Sequence, residues 1–164
     1  MVDVQAPMFG RYAEFKEYLE DGMVYGYKRD KHNRPVIIYN MRKGLDSKLD
    51  ATSLIDTMDF LLAYTQYHAL VPGKIESWNV IIDMKNVALW EFPIGALVTL
   101  AMRMKAQYKV RLYNVVAINV NWLLVQAGSF VKRYGDPRKP SKILIFMQDF
   151  EEHLFNLVGK EQLE

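Results

Sequence analysis

The sequence contains no cysteine, so disulfides, thiol catalysis and Cys-based metal centres are all excluded. Its histidines number only 3, at His32, His68 and His153, with no carboxylate at metal-ligand spacing. No apolar run approaches the roughly 20 residues of a membrane-spanning helix, and no stretch reads as a signal peptide. There is no Asn-x-Ser/Thr acceptor. Phosphate-binding glycine loops are missing too. Pro72-Gly73-Lys74 lacks both the upstream glycine and the following Ser or Thr, and no G-x-G-x-x-G follows a strand. Gly128-Ser129 lacks the second glycine of a nucleophile elbow. Charge of one sign is scarce as well: 21 Lys and Arg against 19 Asp and Glu give a net charge of +2. That balance, with no recognition motif beside it, argues against nucleic acid. These absences leave a non-enzymatic, metal-free domain, with a cytoplasmic location as the expectation.

The chain is rich in apolar and adaptable side chains. Hydrophobic residues make up 51%, and there are 9 Met, 10 Tyr and 8 Phe among 164 residues. This is enough for one domain with one sizeable core. Residues 8–21 have the spacing of a short amphipathic helix. Pro35 opens a strand, Val36-Ile37-Ile38-Tyr39, and Lys43 to Asp46 reads as a loop. Asp50 is placed to cap a helix over 51–70, with Leu54, Ile55, Met58, Leu61 and Leu62 on one face. A strand over 78–84 follows. Then come a helix over 93–108, a strand over 112–120, a helix over 121–134, a strand over 142–147 and a helix over 149–158. Alternation of this kind predicts a layered α/β domain with a mostly parallel sheet flanked by helices.

Asp83 ends an apolar strand, as a metal-binding acid in a nucleotide hydrolase does. Without a phosphate loop, the better reading is a polar strand end that caps a neighbouring turn. Three groups of cations are more suggestive: Arg103, Lys105, Lys109 and Arg111; Lys132, Arg133, Arg138, Lys139 and Lys142; and Lys28, Arg29, Lys31 and Arg34. Each is either a solvated surface or a contact for phosphate on a lipid or membrane. In helix 121–134, Leu123, Ala127, Phe130, Val131 and Tyr134 form an apolar stripe, and Trp122 and Val125 lie off it. Apolar residues on two sides suit a helix that covers a cavity with one face and meets a membrane with the other.

Four stretches then resemble the CRAL-TRIO lipid-binding domain, in that family's order. "DKHNRPVIIYN" is similar to the D-x-x-G-R-P-V strand entry. "WNVIIDMKNV" is similar to the apolar strand that ends in Asp. "YKVRLYNVVAINVN" resembles the Y-P-E-R-L segment, its strand and the following Asn-x-Pro. "FVKRYGDPRKPSKILIF" resembles the F-L-D-P-x-T-x-x-K-I strand entry. The resemblance implies a short helical lead-in over 1–21 and a lipid-binding domain over 22–164, ending short of the family's closing Tyr-Gly-Gly segment. It implies a sheet floor under an apolar cavity, with helix 121–134 as gate and Trp122, Leu123, Val125 and Phe130 as gate and membrane contacts. Lys109, Arg111 and Arg138 would face the membrane, and Lys142 and Lys139 would meet a lipid headgroup. The implied function is binding and transfer of a phospholipid or other hydrophobic lipid, with transient, peripheral membrane association and no cofactor beyond the lipid. The alternative is a protein-interaction or regulatory module, with a protein partner, that keeps the fold without lipid selectivity. The sequence departs from the family pattern at Lys109 and Val110, where the motif has Pro and Glu. It departs again at Asn121, where the motif has Pro, and at Lys139, where it has Thr.

Overall fold

The computed structural model describes residues 10–91, 94–108, 110–123, 125 and 142–160. Helix α1, Tyr12–Glu20, leads into a β-hairpin of β1, Val24–Arg29, and β2, Pro35–Asn40. A short helix α2, Met41–Asp46, and a long helix α3, Ala51–His68, come next. Strand β3, Trp78–Asp83, is followed by a single 3-10 turn, Leu89–Glu91, and helix α4, Ile94–Gln107. Strand β4, Leu112–Ile118, strand β5, Ile143–Ile145, and helix α5, Glu151–Val158, complete the order.

The five strands lie in one sheet in the order β1-β2-β3-β4-β5. Only β1 and β2 are antiparallel; β2, β3, β4 and β5 are parallel to one another. The apolar strand at 78–84 and the cap at Asp50 are therefore as the sequence predicts. The Asp50 carboxylate accepts hydrogen bonds from the Thr52 and Ser53 amides at 2.8 and 2.9 Å, satisfying two of the donors a helix start leaves open.

One local expectation needs correction, and one strand had not been anticipated. Strand β1 went unread because Gly26 and the Lys28-Arg29 pair break its apolar alternation, as suits an edge strand with an irregular register between Gly26 and Arg29. The expected loop at Lys43 to Asp46 is helical. The Asn40 side chain caps that turn by accepting from the Lys43 amide at 3.1 Å. Gly44 is needed there for space, because a Cβ would collide with the Tyr39 hydroxyl.

The turn between β1 and β2 is organised by one buried carboxylate. Asp30 accepts from the His32 and Arg34 amides at 2.8 Å each, from the Arg34 guanidinium at 3.1 Å and from the Asn79 amide at 2.9 Å. Burial alone would raise its pKa. These four donors outweigh that and hold it below the ordinary value. Asn33, at the position where the family motif has Gly, has φ 62°, the left-handed conformation the turn requires.

The two faces of the sheet are covered differently. Helix α5 lays Leu154 and Val158 on Val36, Ile81, Val116 and Ile118. On the opposite face, Leu54, Ile55, Met58 and Leu62 of α3 pack with Ile37, Tyr39, Trp78 and Val80. Helix α3 thus closes the half of that face nearest β1.

Candidate functional site

Parallel register sets Ile82 beside Ala117 and Ala117 beside Ile145, with Val115 one pleat back beside Ile143. Residues two apart share a face, so Ile82, Val115, Ala117 and Ile145 make a continuous apolar floor on the α3 side of the sheet. All four are only half-buried, although each packs against the main core cluster. The opposite face of the same strands contains the fully covered Val116 and the well-buried Ile81. A partly open floor of small and branched apolar side chains can accept an apolar ligand by burial alone, without a charged partner.

In the segment after β4, Val125 packs on the same core cluster as this floor. Asn121 starts the segment: its side chain accepts from the Leu123 amide at 3.0 Å, and its carbonyl accepts from the Val125 amide at 3.1 Å. Trp122, Leu123 and Val125 are helical, matching the expected start of a helix at 121. Of the two side chains read as lying off the stripe, Trp122 stands 62% exposed, whereas Val125 is half-buried and packs on the core cluster. Phe130 and the rest of helix 121–134 lie outside the described residues, as do Lys109, Arg138 and Lys139.

The described cations are more occupied than their spacing in the sequence suggests. Arg111 donates to the Glu76 carbonyl at 3.1 Å and lies 3.7 Å from the Glu76 carboxylate. It borders a pocket of about 280 Å³ with Gln66, Tyr67, Leu70, Pro72, Ile75 and Glu76. Lys142 is exposed, and its ammonium donates to the Leu112 carbonyl, tying the entry of β5 to the start of β4. Val110, where the family motif has Glu, is 85% exposed at φ 60°, an uncommon conformation for a β-branched residue. Arg29 and Arg34 belong to the fold: Arg29 donates to the Asn33 and Ala69 carbonyls, and Arg34 pairs with Asp30 and stacks 3.6 Å from the centre of the Tyr113 ring.

Arg103, counted in sequence with a surface group, is an internal tie. Its guanidinium in α4 sits 2.9 Å from Asp56 and 3.2 Å from Asp59, both in α3. The Asp59 side chain is 2% exposed. Burial pushes its pKa up, and Arg103 partly offsets that. Tyr108 donates to the Asp59 carbonyl at 3.2 Å, and burial raises its own phenolic pKa. Asp83 plays the structural part anticipated for it: one oxygen accepts from the Lys85 amide and from the Asn119 side chain, both at 2.9 Å, joining the ends of β3 and β4. Among the described residues, no group of three or more His, Asp or Glu is arranged to hold a metal. No described helix is long and apolar enough to cross a membrane.

Sequence reasoning missed the turn after β3. Trp90 is 86% exposed, and Glu91 beside it is bound by Arg42, which also holds Asp46. A lone Trp between two apolar segments gives no sign of its exposure.

A search of curated proteins finds no match to this sequence. Among solved structures, the fold matches the crystal structure of Sfh5, a Sec14-like yeast protein, with a TM-score of 0.73 at 12% identity. The match covers 96% of this chain and 66% of the Sfh5 chain, so this chain spans just under two thirds of that protein's length. The family model described as CRAL/TRIO domain matches residues 19–164. The sheet and the sequence thus agree, and the chain belongs to the CRAL/TRIO family of lipid-binding and lipid-transfer domains.

Proposed function

We propose that this protein is a non-enzymatic lipid carrier that binds a hydrophobic lipid on the floor of Ile82, Val115, Ala117 and Ile145 and moves it between membranes. The observation that carries this reading is the asymmetry of the sheet. One face of β4 is sealed by α5, while the other is apolar and half-open beneath the segment that begins at Asn121. Helix 121–134 serves as the gate over that floor. Each methylene removed from water contributes about 0.8 kcal/mol, so a tail of about fifteen methylenes contributes roughly 12 kcal/mol before ordering costs. Affinity then comes from the tail, and polar groups only sort the headgroups.

The positions that correspond to the family's headgroup Glu and Lys bear on that sorting. Val110 points to solvent, and Lys142 is engaged with the Leu112 carbonyl. This arrangement supports a lipid chosen without a preassembled phosphate site. It also sustains a second reading, a protein-interaction module that kept the fold. Native mass spectrometry of the protein purified from a eukaryotic host separates the two. A carrier retains a lipid, and Ala117→Trp, which fills the floor, loses it while remaining folded by circular dichroism. An empty unmodified protein would sink the carrier reading and favour the module.

A further inference from the structure

The parallel strands β3, β4 and β5 leave the sheet at one common end, because Asp83 pairs with Ile118 and Ala117 with Ile145. Each of the three segments that continue from that end exposes a large apolar side chain. Trp90 is 86% exposed, Trp122 62% and Met147 53%. Trp122 belongs to the gate segment already described. Trp90 does not, and its setting is unusual for an exposed aromatic.

The turn bearing Trp90 is pinned at several of its described residues, none of them at the indole. Beneath it, Met84 and Val87 are each 4% exposed, and Leu89 packs on the same core. The Met84 amide donates to the Ile118 carbonyl at 3.0 Å, and the Val87 amide to the Met84 carbonyl at 3.1 Å. Glu91 closes the turn by accepting from the Ala88 amide at 3.1 Å. Arg42 then clasps it from α2, donating to both Glu91 oxygens at 2.9 and 3.0 Å and to the Asn86 carbonyl at 3.4 Å, while its other nitrogens hold Asp46. A clasp of this kind removes the freedom a surface turn normally keeps. Its result is an anchored turn that holds the indole out in water.

We propose that Trp90 is a preformed membrane anchor that inserts into the headgroup layer of a zwitterionic bilayer beside Trp122. Indoles favour that layer, where an apolar ring and a polar N–H are both accommodated. Three side chains protruding from three separate segments at one end of the sheet suit a planar interface. Charge selects the kind of bilayer. Among the described residues of these three segments, up to the start of α5, Asp83, Glu91 and Asp149 outnumber Lys85, so an anionic surface is disfavoured. Arg111 and Lys142 lie at the opposite end, before β4 and β5. The 7 residues of β4 separate the two ends, which is about 20 Å along the strand.

This inference deepens the membrane half of the carrier reading and rests on it. The test uses vesicles of phosphatidylcholine brominated near the headgroup, which quench tryptophan on contact. Trp78 is 0% exposed and serves as the internal unquenched control. Trp122→Phe leaves Trp90 as the one exposed indole among the three tryptophans, and its emission is quenched if the anchor is right. Trp90→Ala weakens vesicle partitioning about tenfold or more. Its melting temperature stays within the range of an ordinary surface substitution. No quenching in Trp122→Phe, or equal partitioning of Trp90→Ala and the unmodified protein, overturns the proposal and makes the indole a contact for a protein partner. Quenching that appears only when phosphatidylserine is added also overturns it and moves docking to the basic end. Native mass spectrometry of the same samples keeps the two readings apart. A protein that is quenched but carries no lipid refutes the carrier and leaves the anchor, and one that carries lipid without quenching does the reverse.

Discussion

Removing the Arg103 side chain tests whether the α3–α4 tie supports the fold. Asp59 is almost fully enclosed, and its Oδ2 has Arg103 at 3.2 Å as its charged partner, while its Oδ1 has no hydrogen-bond partner among the described residues. Arg103→Ala leaves a carboxylate in the interior with its charge unanswered. Breaking a buried pair in this way costs 3–5 kcal/mol when both groups are enclosed. Here the Arg103 side chain is 35% exposed and Asp56 20%, so water reaches the vacated space and the cost falls to about 2–3 kcal/mol. For a chain of this size that is a drop of about 5–10 °C in melting temperature. The deficit depends on pH. Arg103 is one of the influences that lower the Asp59 pKa, and without it the already raised pKa climbs further. An acid whose folded pKa exceeds its unfolded value loses stability as pH rises between the two values. The variant is therefore closest to the unmodified protein in mild acid and furthest from it near neutrality. Asp59→Asn in the Arg103→Ala background removes the stranded charge and recovers most of the loss. Urea melts of the single and double variants at two pH values decide it. Equal deficits at both pH values, with no rescue by Asp59→Asn, would refute the idea that an uncompensated charge is the cause.

Two further outcomes follow from the β1–β2 turn and from α2. Asp30 has a lowered pKa, so its contribution is present above the ordinary Asp value of about 3.9 and is lost as pH falls through the folded value. Asp30→Asn should weaken the protein at neutral pH and flatten the acid limb of its stability profile. An unchanged acid limb means the four donors do not act on the charge. Gly44→Ala should cost about 1–3 kcal/mol, because the new methyl meets the Tyr39 hydroxyl inside a packed turn. Pairing it with Tyr39→Phe should restore part of that in thermal melts, and no recovery would place the strain elsewhere.

The parallel sheet was legible because buried parallel strands are written as apolar runs, and Val36 to Tyr39, Trp78 to Ile82 and Leu112 to Ile118 are such runs. The Asp50 cap and the helix start at Asn121 were legible because each depends on one short-range donor-acceptor pattern. What stayed hidden depends on partners distant in sequence. Arg103 looks like surface charge until Asp56 and Asp59 arrive from 47 and 44 residues away. Arg29 looks like part of a phosphate patch until its guanidinium reaches the Ala69 carbonyl at the end of α3. Trp90 was read past for a different reason: periodicity marks which residues pack, and no pattern marks an indole left out. The four family-like stretches were stronger evidence than any single charge cluster, because their order constrains topology as well as composition.

The strand order, in which every neighbour in space is also the next strand in the chain, has a consequence for how the molecule is made. A growing chain lays down β1, β2 and β3 with α3 across them, and this part already contains its own packed layer in Ile37, Tyr39, Leu54, Met58, Leu62 and Val80. Strand β4 then adds to a finished edge, and β5 adds to β4, with no earlier strand displaced. Synthesis thus proceeds from the sealed half of the sheet towards the open one. The apolar floor of Val115, Ala117 and Ile145 is completed only with β5, and α5 then covers the opposite face.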